Sequence, residues 1–281
     1  MLLIADSGST KTDWCLIENS GNEISFSTEG YNPCYMNSKE IETSLRKNLP
    51  AGYEWNKVEK VHFYGAGCYD DKFPVMTDAL KQLFVNADIE IAMDLLASAR
   101  ALLGDSPGFA AILGTGTNSC LYDGKEISMN IDSMGFIMGD EGSGAYIGKR
   151  FLGDYIRGYM PAEIKNRFWN DYRLTPDELI DQIYTKPLAN RFCSGFCKYI
   201  HDNLSNHEYY TQIVKDAFRD FFRNIVCGYP EYETYSFNCV GSIAFHFHDI
   251  LENIASEFGM NMGTILSCPM EGLKKYHSME S

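Results

Sequence analysis

One pattern, met twice, constrains this chain more than any other feature. Leu2-Leu3-Ile4-Ala5 is an apolar run closed by Asp6. A loop of small and hydroxyl residues follows, Ser7-Gly8-Ser9-Thr10-Lys11-Thr12, and Trp14-Cys15-Leu16-Ile17 leaves it as a second apolar run. The plan recurs at Phe109-Ala110-Ala111-Ile112-Leu113, Gly114-Thr115-Gly116-Thr117-Asn118-Ser119 and Cys120-Leu121-Tyr122. Each copy then runs through a polar turn, Asn19-Ser20-Gly21-Asn22 or Asp123-Gly124, into a Glu-Ile-Ser triplet, Glu23-Ile24-Ser25 or Glu126-Ile127-Ser128. Glycine admits a tight turn, and a loop of amides and hydroxyls at the end of a buried strand suits an anion with a metal ion beside it. A single copy reads equally well as an ordinary hairpin. Two copies imply a duplicated chain whose loops would hold a nucleotide's phosphates across a cleft.

A chain of 281 residues allows two domains, each with its own core. The net charge of −14 argues against a nucleic-acid partner, which would need basic patches. No apolar run approaches the ~20 residues of a membrane span, and the N-terminus lacks a charged-then-apolar signal pattern. The nine cysteines are scattered with no Cys-x-x-Cys pair, as expected for reduced thiols in a cytoplasm. Cys193 and Cys197, four apart on one expected helix, read as packing residues rather than metal ligands. His246 and His248, two apart on another, point in different directions.

Taken in order, the spacing predicts strands at Leu2–Ala5, Thr12–Glu18 and Glu23–Ser27, then a helix capped at Asn37-Ser38 with Ile41, Leu45 and Leu49 on one face. A strand at Val58–Tyr64, a helix at Pro74–Val85, a strand at Ile89–Met93 and a helix at Leu95–Leu103, opened by Asp94 and ended by Gly104, complete the first half. The second half begins alike, with strands near Phe109–Leu113, Ser119–Tyr122 and Glu126–Asn130. A helical insertion of about 142–227 follows, containing the capping box Thr175-Pro176-Asp177-Glu178. A strand at Ser236–Val240, one helix at Phe245–Phe258, a strand at Thr264–Ser267 and a short helix at Gly272–His277 end the chain. The fold class is α/β, a duplicated βββαβαβα with mixed sheets. The domains fall at 1–104 and 105–269, and the C-terminal helix, 270–281, is expected to pack back on the first.

Asp6-Ser7-Gly8-Ser9-Thr10-Lys11-Thr12 resembles the first phosphate loop of the sugar kinase, heat-shock-70 and actin superfamily. Gly114-Thr115-Gly116-Thr117-Asn118 resembles its second phosphate loop, and Val240-Gly241-Ser242 its adenosine loop. Gly139-Asp140-Glu141-Gly142-Ser143-Gly144 is similar to a signature of the N-acetylglucosamine kinase branch, within the family of benzoyl-CoA-reductase-type and 2-hydroxyacyl-CoA-dehydratase-activating ATPases. The resemblance covers nearly the whole chain. It implies two ribonuclease-H-like domains, with ATP and Mg2+ in the interdomain cleft and a sugar phosphorylated on a hydroxyl. It also implies catalysis by Asp94, which composition alone would read as a plain N-cap. A carboxylate at a helix N-terminus is held ionised by backbone donors and can accept a proton from a sugar hydroxyl.

Under the resemblance, Asp6 holds magnesium, through water. Gly8, Ser9, Thr10 and Lys11 meet the phosphates from one side, Thr115, Gly116 and Thr117 from the other, and Gly241 and Ser242 border the adenosine. The Gly-x-x-x-x-Gly-Lys spacing of a P-loop is absent. Asn32, in a stretch that also reads as a bare turn, is matched to a sugar contact, and Asn118 and Asp140 are further sugar candidates. Two departures fall on the substrate side. Ser133-Met134-Gly135-Phe136 stands where the branch carries Gly-Trp-Gly, and a serine expected beside Gly65-Ala66-Gly67-Cys68 is missing. ATP-dependent phosphorylation of an amino sugar, most directly N-acetylglucosamine, leads. The alternatives are an ATPase activator of an iron–sulfur dehydratase or reductase, and a non-catalytic sugar sensor. A homodimer is a further expectation of the resemblance.

Overall fold

The computed structural model describes residues 1–8 and 10–278; Ser9 of the first loop lies outside the described residues. Two compact units emerge: Met1–Ser106 with Gly124–Glu126 and the C-terminal stretch from Cys268, and Pro107–Asp123 with Ile127–Ser267.

In the first unit, β1 (Leu2–Ser7), β2 (Lys11–Ile17) and β3 (Glu23–Glu29) form an antiparallel meander. After α1 (Ser38–Asn48) comes β4 (Lys60–Gly65), then α2 (Phe73–Lys81), β5 (Asp88–Met93) and α3 (Asp94–Leu103). β4 and β5 join parallel to β1, giving the order β3-β2-β1-β4-β5. Strands β1, β4 and β5 therefore end together, where ligands of open α/β sheets are bound. Alternation in β1 sends Leu3 and Ala5 into a core with Trp14, Ile41, Leu45 and Phe63. Trp14 stacks on Phe26 at 5.8 Å and donates its indole N–H to Thr28 Oγ1 at 3.0 Å, so its polar atom is satisfied in the interior. Asn37 and Glu40 close a capping box on α1.

The second unit repeats this plan. β6 (Gly108–Leu113), β7 (Thr117–Tyr122) and β8 (Ile127–Asn130) form the meander. The helices α4 (Gly135–Met138), α5 (Gly144–Arg157), α6 (Ala162–Tyr172), α7 (Pro176–Tyr184), α8 (Ala189–Ser194), α9 (Phe196–Asp202) and α10 (Glu208–Asn224) are inserted before β9 (Ser236–Val240). Then come α11 (Ser242–His246), α12 (His248–Glu257) and β10 (Asn261–Leu266). The sheet order β10-β9-β6-β7-β8 is the first sheet's order again, strand for strand. The duplicated α/β class expected from the repeated loops is the architecture observed. Phe109, Phe151, Phe168, Phe218 and Phe221 are fully buried in this unit's core, and each such ring contributes about 1.5–3 kcal/mol. α13 (Met270–Ser278) belongs to the first unit and packs against α3 and β1; a Cβ on Gly272 would lie 2.4 Å from the Ala101 carbonyl.

Three helix readings are corrected. The single helix expected at 245–258 is α11 and α12, broken at Phe247. The break turns Ile243 and Ala244 of one helix and Leu251, Ile254 and Ala255 of the other into the same core, with Phe247 itself buried. Cys193 and Cys197 lie on two helices, α8 and α9, joined at Gly195. Both are buried, and Cys197 Sγ donates to the Gly144 carbonyl at 3.2 Å. The helix expected to reach Val85 ends at Lys81, because Leu83 and Phe84 turn back and bond through their amides to the Leu80 carbonyl. Among the described residues no helix is long and apolar enough to cross a membrane.

Candidate active site

In the first unit the candidate residues gather at the carboxyl ends of the parallel strands. Asp6 is the penultimate residue of β1, paired with Asp13 across β2 and with Tyr64 across β4. Asp94 follows β5 directly and is the first residue of α3. Burial lifts the Asp6 carboxyl to about 7, with Asp94 and Asp13 adding to the rise and Lys11 opposing it. Burial likewise lifts Asp94 to about 6, against the backbone amides of Leu95 and of Asp94 itself. Folding has thus placed two carboxylates where each is poorly solvated and one repels the other. Such a pair gains from a nearby cation.

The first loop is closed by the Gly8 amide, which donates to the Lys11 carbonyl at 3.0 Å. The Thr10 carbonyl accepts from the Gly30 amide at 3.2 Å, tying this loop to the segment that carries Asn32. Lys11 is exposed and paired with Asp13 at 2.9 Å, so a phosphate contact would require it to leave that carboxylate. Asn32 Oδ1 accepts the Cys34 amide at 2.8 Å, a turn of the Asx kind.

The second loop is built the same way and locked more firmly. The Gly114 amide donates to the Gly116 carbonyl at 3.0 Å. Behind it, the amides of Gly144 and Ala145, which a helix N-terminus leaves unpaired, donate to the Gly114 and Thr115 carbonyls at 2.8 and 3.1 Å. Asp140, buried and in the left-handed region at φ 57°, accepts the Thr117 amide on Oδ1 at 3.2 Å. Thr117 Oγ1 donates to the Glu141 carbonyl at 2.8 Å. A Cβ on Gly116 would come within 3.2 Å of Asp140 Oδ2, so the glycine lets the acid lie against the loop. Burial raises the Asp140 carboxyl, opposed by the Thr117 amide, Ser133 and Lys149 and assisted by Glu141. Asn118 Oδ1 accepts from Asn130 Nδ2 and from the Ser119 amide. Gly241, at φ 132°, would carry a Cβ 2.3 Å from the Leu113 carbonyl, which fixes the end of β9 against the end of β6. Ser242 then opens α11 in an exposed position. Gly114, Thr115, Gly116, Thr117, Asn118, Asp140 and Gly241 therefore share the ends of β6, β7 and β9.

A crystal structure of a Porphyromonas gingivalis protein, described as a candidate N-acetylglucosamine kinase, matches 99% of this chain and 98% of its own, at 43% identity and a TM-score of 0.94. The chain belongs to that family of N-acetylglucosamine kinase-like sugar kinases. A candidate N-acetylglucosamine kinase from Chromobacterium violaceum matches 98% of both chains at 15% identity and a TM-score of 0.72, a likeness of fold alone. A Streptomyces griseus glucokinase of the ROK family, in complex with glucose and AMPPNP, also shares the fold, over 99% of this chain and 98% of its own, at 13% identity and a TM-score of 0.55. Neither a protein-family model nor a curated protein matches the chain.

The buried, acid-flanked carboxyl of Asp6 fits magnesium in its chemistry. The ion takes one or two carboxylates and completes its shell with water and phosphate oxygens. No group of three His, Cys, Asp or Glu able to hold a metal occurs among the described residues, so the nucleotide would supply the remaining oxygens.

One residue given no role in the sequence reading is central here. Ser7 is fully buried; its Oγ accepts the Tyr31 amide at 3.0 Å and lies 2.7 Å from Thr12 Oγ1, and its carbonyl accepts the Ala66 amide at 2.8 Å. The signal was parity. Ser7 continues the inward row of Leu3 and Ala5, and a hydroxyl in such a row needs partners.

Proposed function

We propose that the chain is an ATP-dependent kinase of an amino sugar, most directly N-acetylglucosamine. The observation that carries this reading is Asp94, a carboxyl at the N-terminus of α3 beside the end of β5, lifted to about 6 and so poised to take a proton near neutral pH. The sugar hydroxyl gives its proton to Asp94, its oxygen forms the new bond to the γ-phosphorus, and the bond from that phosphorus to the β-bridging oxygen breaks to release ADP. Asp6 would hold magnesium, which would supply neutralisation of the phosphate charge.

Gly8, Ser9 and Thr10 border the phosphates, with Lys11 turning from Asp13 toward them. Thr115 and Gly116 are assigned to phosphate contacts, Thr117, whose amide and hydroxyl are spent on Asp140 and Glu141, braces their loop, and Gly241 and Ser242 border the adenosine. Asn32, Asn118 and Asp140 hold sugar hydroxyls. The likeness to the Porphyromonas gingivalis protein supports the choice of N-acetylglucosamine. Met134, Gly135 and Phe136, with Gly65 to Cys68, are where this chain departs from the branch, so they set any preference for a different acyl or amino substituent.

The test is a substrate panel of N-acetylglucosamine, glucosamine, N-acetylmannosamine, N-acetylmuramate and glucose, each product identified by mass and by phosphorus NMR. A phosphorylated N-acetyl hexosamine at the highest kcat/KM is expected. Phosphorylation of glucose alone, or of no sugar, would overturn the assignment.

A further inference from the structure

The sugar-loop residue Asn32 is held by two groups to which nothing above gives a catalytic role. Gly67 lies in the turn after β4, at φ 75°. A Cβ there would sit 2.5 Å from Asn32 Oδ1, 2.7 Å from Nδ2 and 2.8 Å from Cγ. Those distances are far inside van der Waals contact, so the carboxamide of Asn32 rests on the bare face of Gly67. From its other side Asn32 Oδ1 takes the Cys34 amide, and Cys34 Sγ reaches back to the Gly67 carbonyl at 3.6 Å. The segment's backbone is pinned one residue earlier, where Ser7 Oγ takes the Tyr31 amide at 3.0 Å and lies 3.2 Å from the Tyr31 carbonyl. Ser7 also takes the Ala66 amide on its own carbonyl, so a single buried residue at the end of β1 holds both the Asn32 segment and the Gly67 turn.

The geometry points to Gly67 and Ser7 as positioning residues. They fix the Asn32 carboxamide, with Oδ1 already engaged and Nδ2 left as the donor offered to a sugar oxygen. The proposal rests on Asn32 contacting the sugar, as given under the proposed function. It is chemically specific. With one Oδ1 lone pair taken by the Cys34 amide, the fixed carboxamide presents Nδ2 as a donor on a set side, and one that could flip would present donor and acceptor interchangeably. A side chain fixed before binding also loses less rotamer freedom when the sugar arrives.

A double-mutant cycle tests it. Gly67→Ala in the wild-type background should raise the sugar KM about fivefold to tenfold, the effect of one displaced neutral hydrogen bond, with kcat and the ATP KM changed less than about twofold. Asn32→Ala removes the atoms that the new methyl would strike, so Gly67→Ala added to it should change the sugar KM by less than about twofold. An equal cost in both backgrounds would mean that Gly67 only relieves backbone strain at its positive φ, and would overturn the proposal. Ser7→Ala provides the same test without altering the turn, and should also raise the sugar KM selectively; an equal rise in the ATP KM would count against it.

The Asn32 side-chain amide resonance, assigned by its loss in Asn32→Ala, gives a readout without substrate. It should move in ligand-free Gly67→Ala and in Ser7→Ala. An unmoved resonance would overturn the positioning claim even in an active kinase. A moved resonance in a protein that phosphorylates no sugar would sink the functional reading and leave the steric claim standing.

Discussion

On the proposed reading, Asp94 is where the chemistry of this chain concentrates. Its carboxyl is lifted from 3.8 to about 6, first by burial, so the native state binds this proton more tightly than the unfolded chain does. The sign follows from linkage: ionising Asp94 costs the native state nothing near pH 3, an increasing amount between pH 4 and 6, and its full amount above. Asp94→Asn in the metal-free protein should therefore raise Tm at pH 8, by a few degrees for a gain on the order of 1 kcal/mol, and leave it unchanged near pH 4. Thermal melts at the two pH values check this; equal shifts at both would mean that the aspartate is not held against its preference. The same substitution should lower kcat by about 10²–10⁴ with little change in sugar KM, the loss expected for a proton acceptor. The place of Asp94, between a strand-like run and a helical run, was legible from spacing, whereas its role as proton acceptor came from the resemblance alone. Ser7 was not, because its partners Tyr31 and Ala66 are distant in sequence and meet it only when β1, β4 and the Asn32 segment converge.

Among elements, the N-terminal half of α5 fixes the second loop. Its first amides are spent on the Gly114 and Thr115 carbonyls, and Gly148 one turn later lies against α8, where a Cβ would stand 1.9 Å from the Cys193 carbonyl. Backbone cannot yield as a side chain can, so Gly148→Ala should cost more than about 2 kcal/mol and lower Tm by several degrees. It should also weaken nucleotide-dependent protection more than it alters the sugar KM, which differential scanning and initial rates would separate. The strands and most helices were readable from apolar spacing and caps, as the Thr175–Glu178 box shows. The breaks at Phe247 and Gly195 were not. The apolar period runs through both, and only the requirement that two short faces meet one core interrupts the helix there.

At the scale of the whole molecule, the same five-strand order appears twice, each time with a Gly-containing loop at the end of the strand that stands third in its sheet. The repeated loop sequence foretold the duplication and the mixed sheets; the strand order was not read from it, although a meander followed by two parallel strands has few right-handed solutions. The sugar contacts were less legible, since the residues proposed for them, Asn32, Asn118 and Asp140, come from segments with no shared period. On the proposed reading phosphates and magnesium bind the native state only, so Mg-ATP at a hundredfold excess over its Kd should stabilise the fold by about 2.7 kcal/mol and raise Tm accordingly. Removing the metal with a chelator should abolish most of that shift, and in Asp6→Asn the shift should no longer depend on magnesium.

The most direct test of the account is ADP release, followed by a coupled assay between pH 5 and 8, with and without N-acetylglucosamine, in the wild type and in Asp94→Asn. Sugar-dependent release is expected, with kcat/KM falling about tenfold per pH unit below about 6 and nearly all of it lost in the variant. Release that ignores the sugar, or that survives Asp94→Asn unchanged, would contradict it.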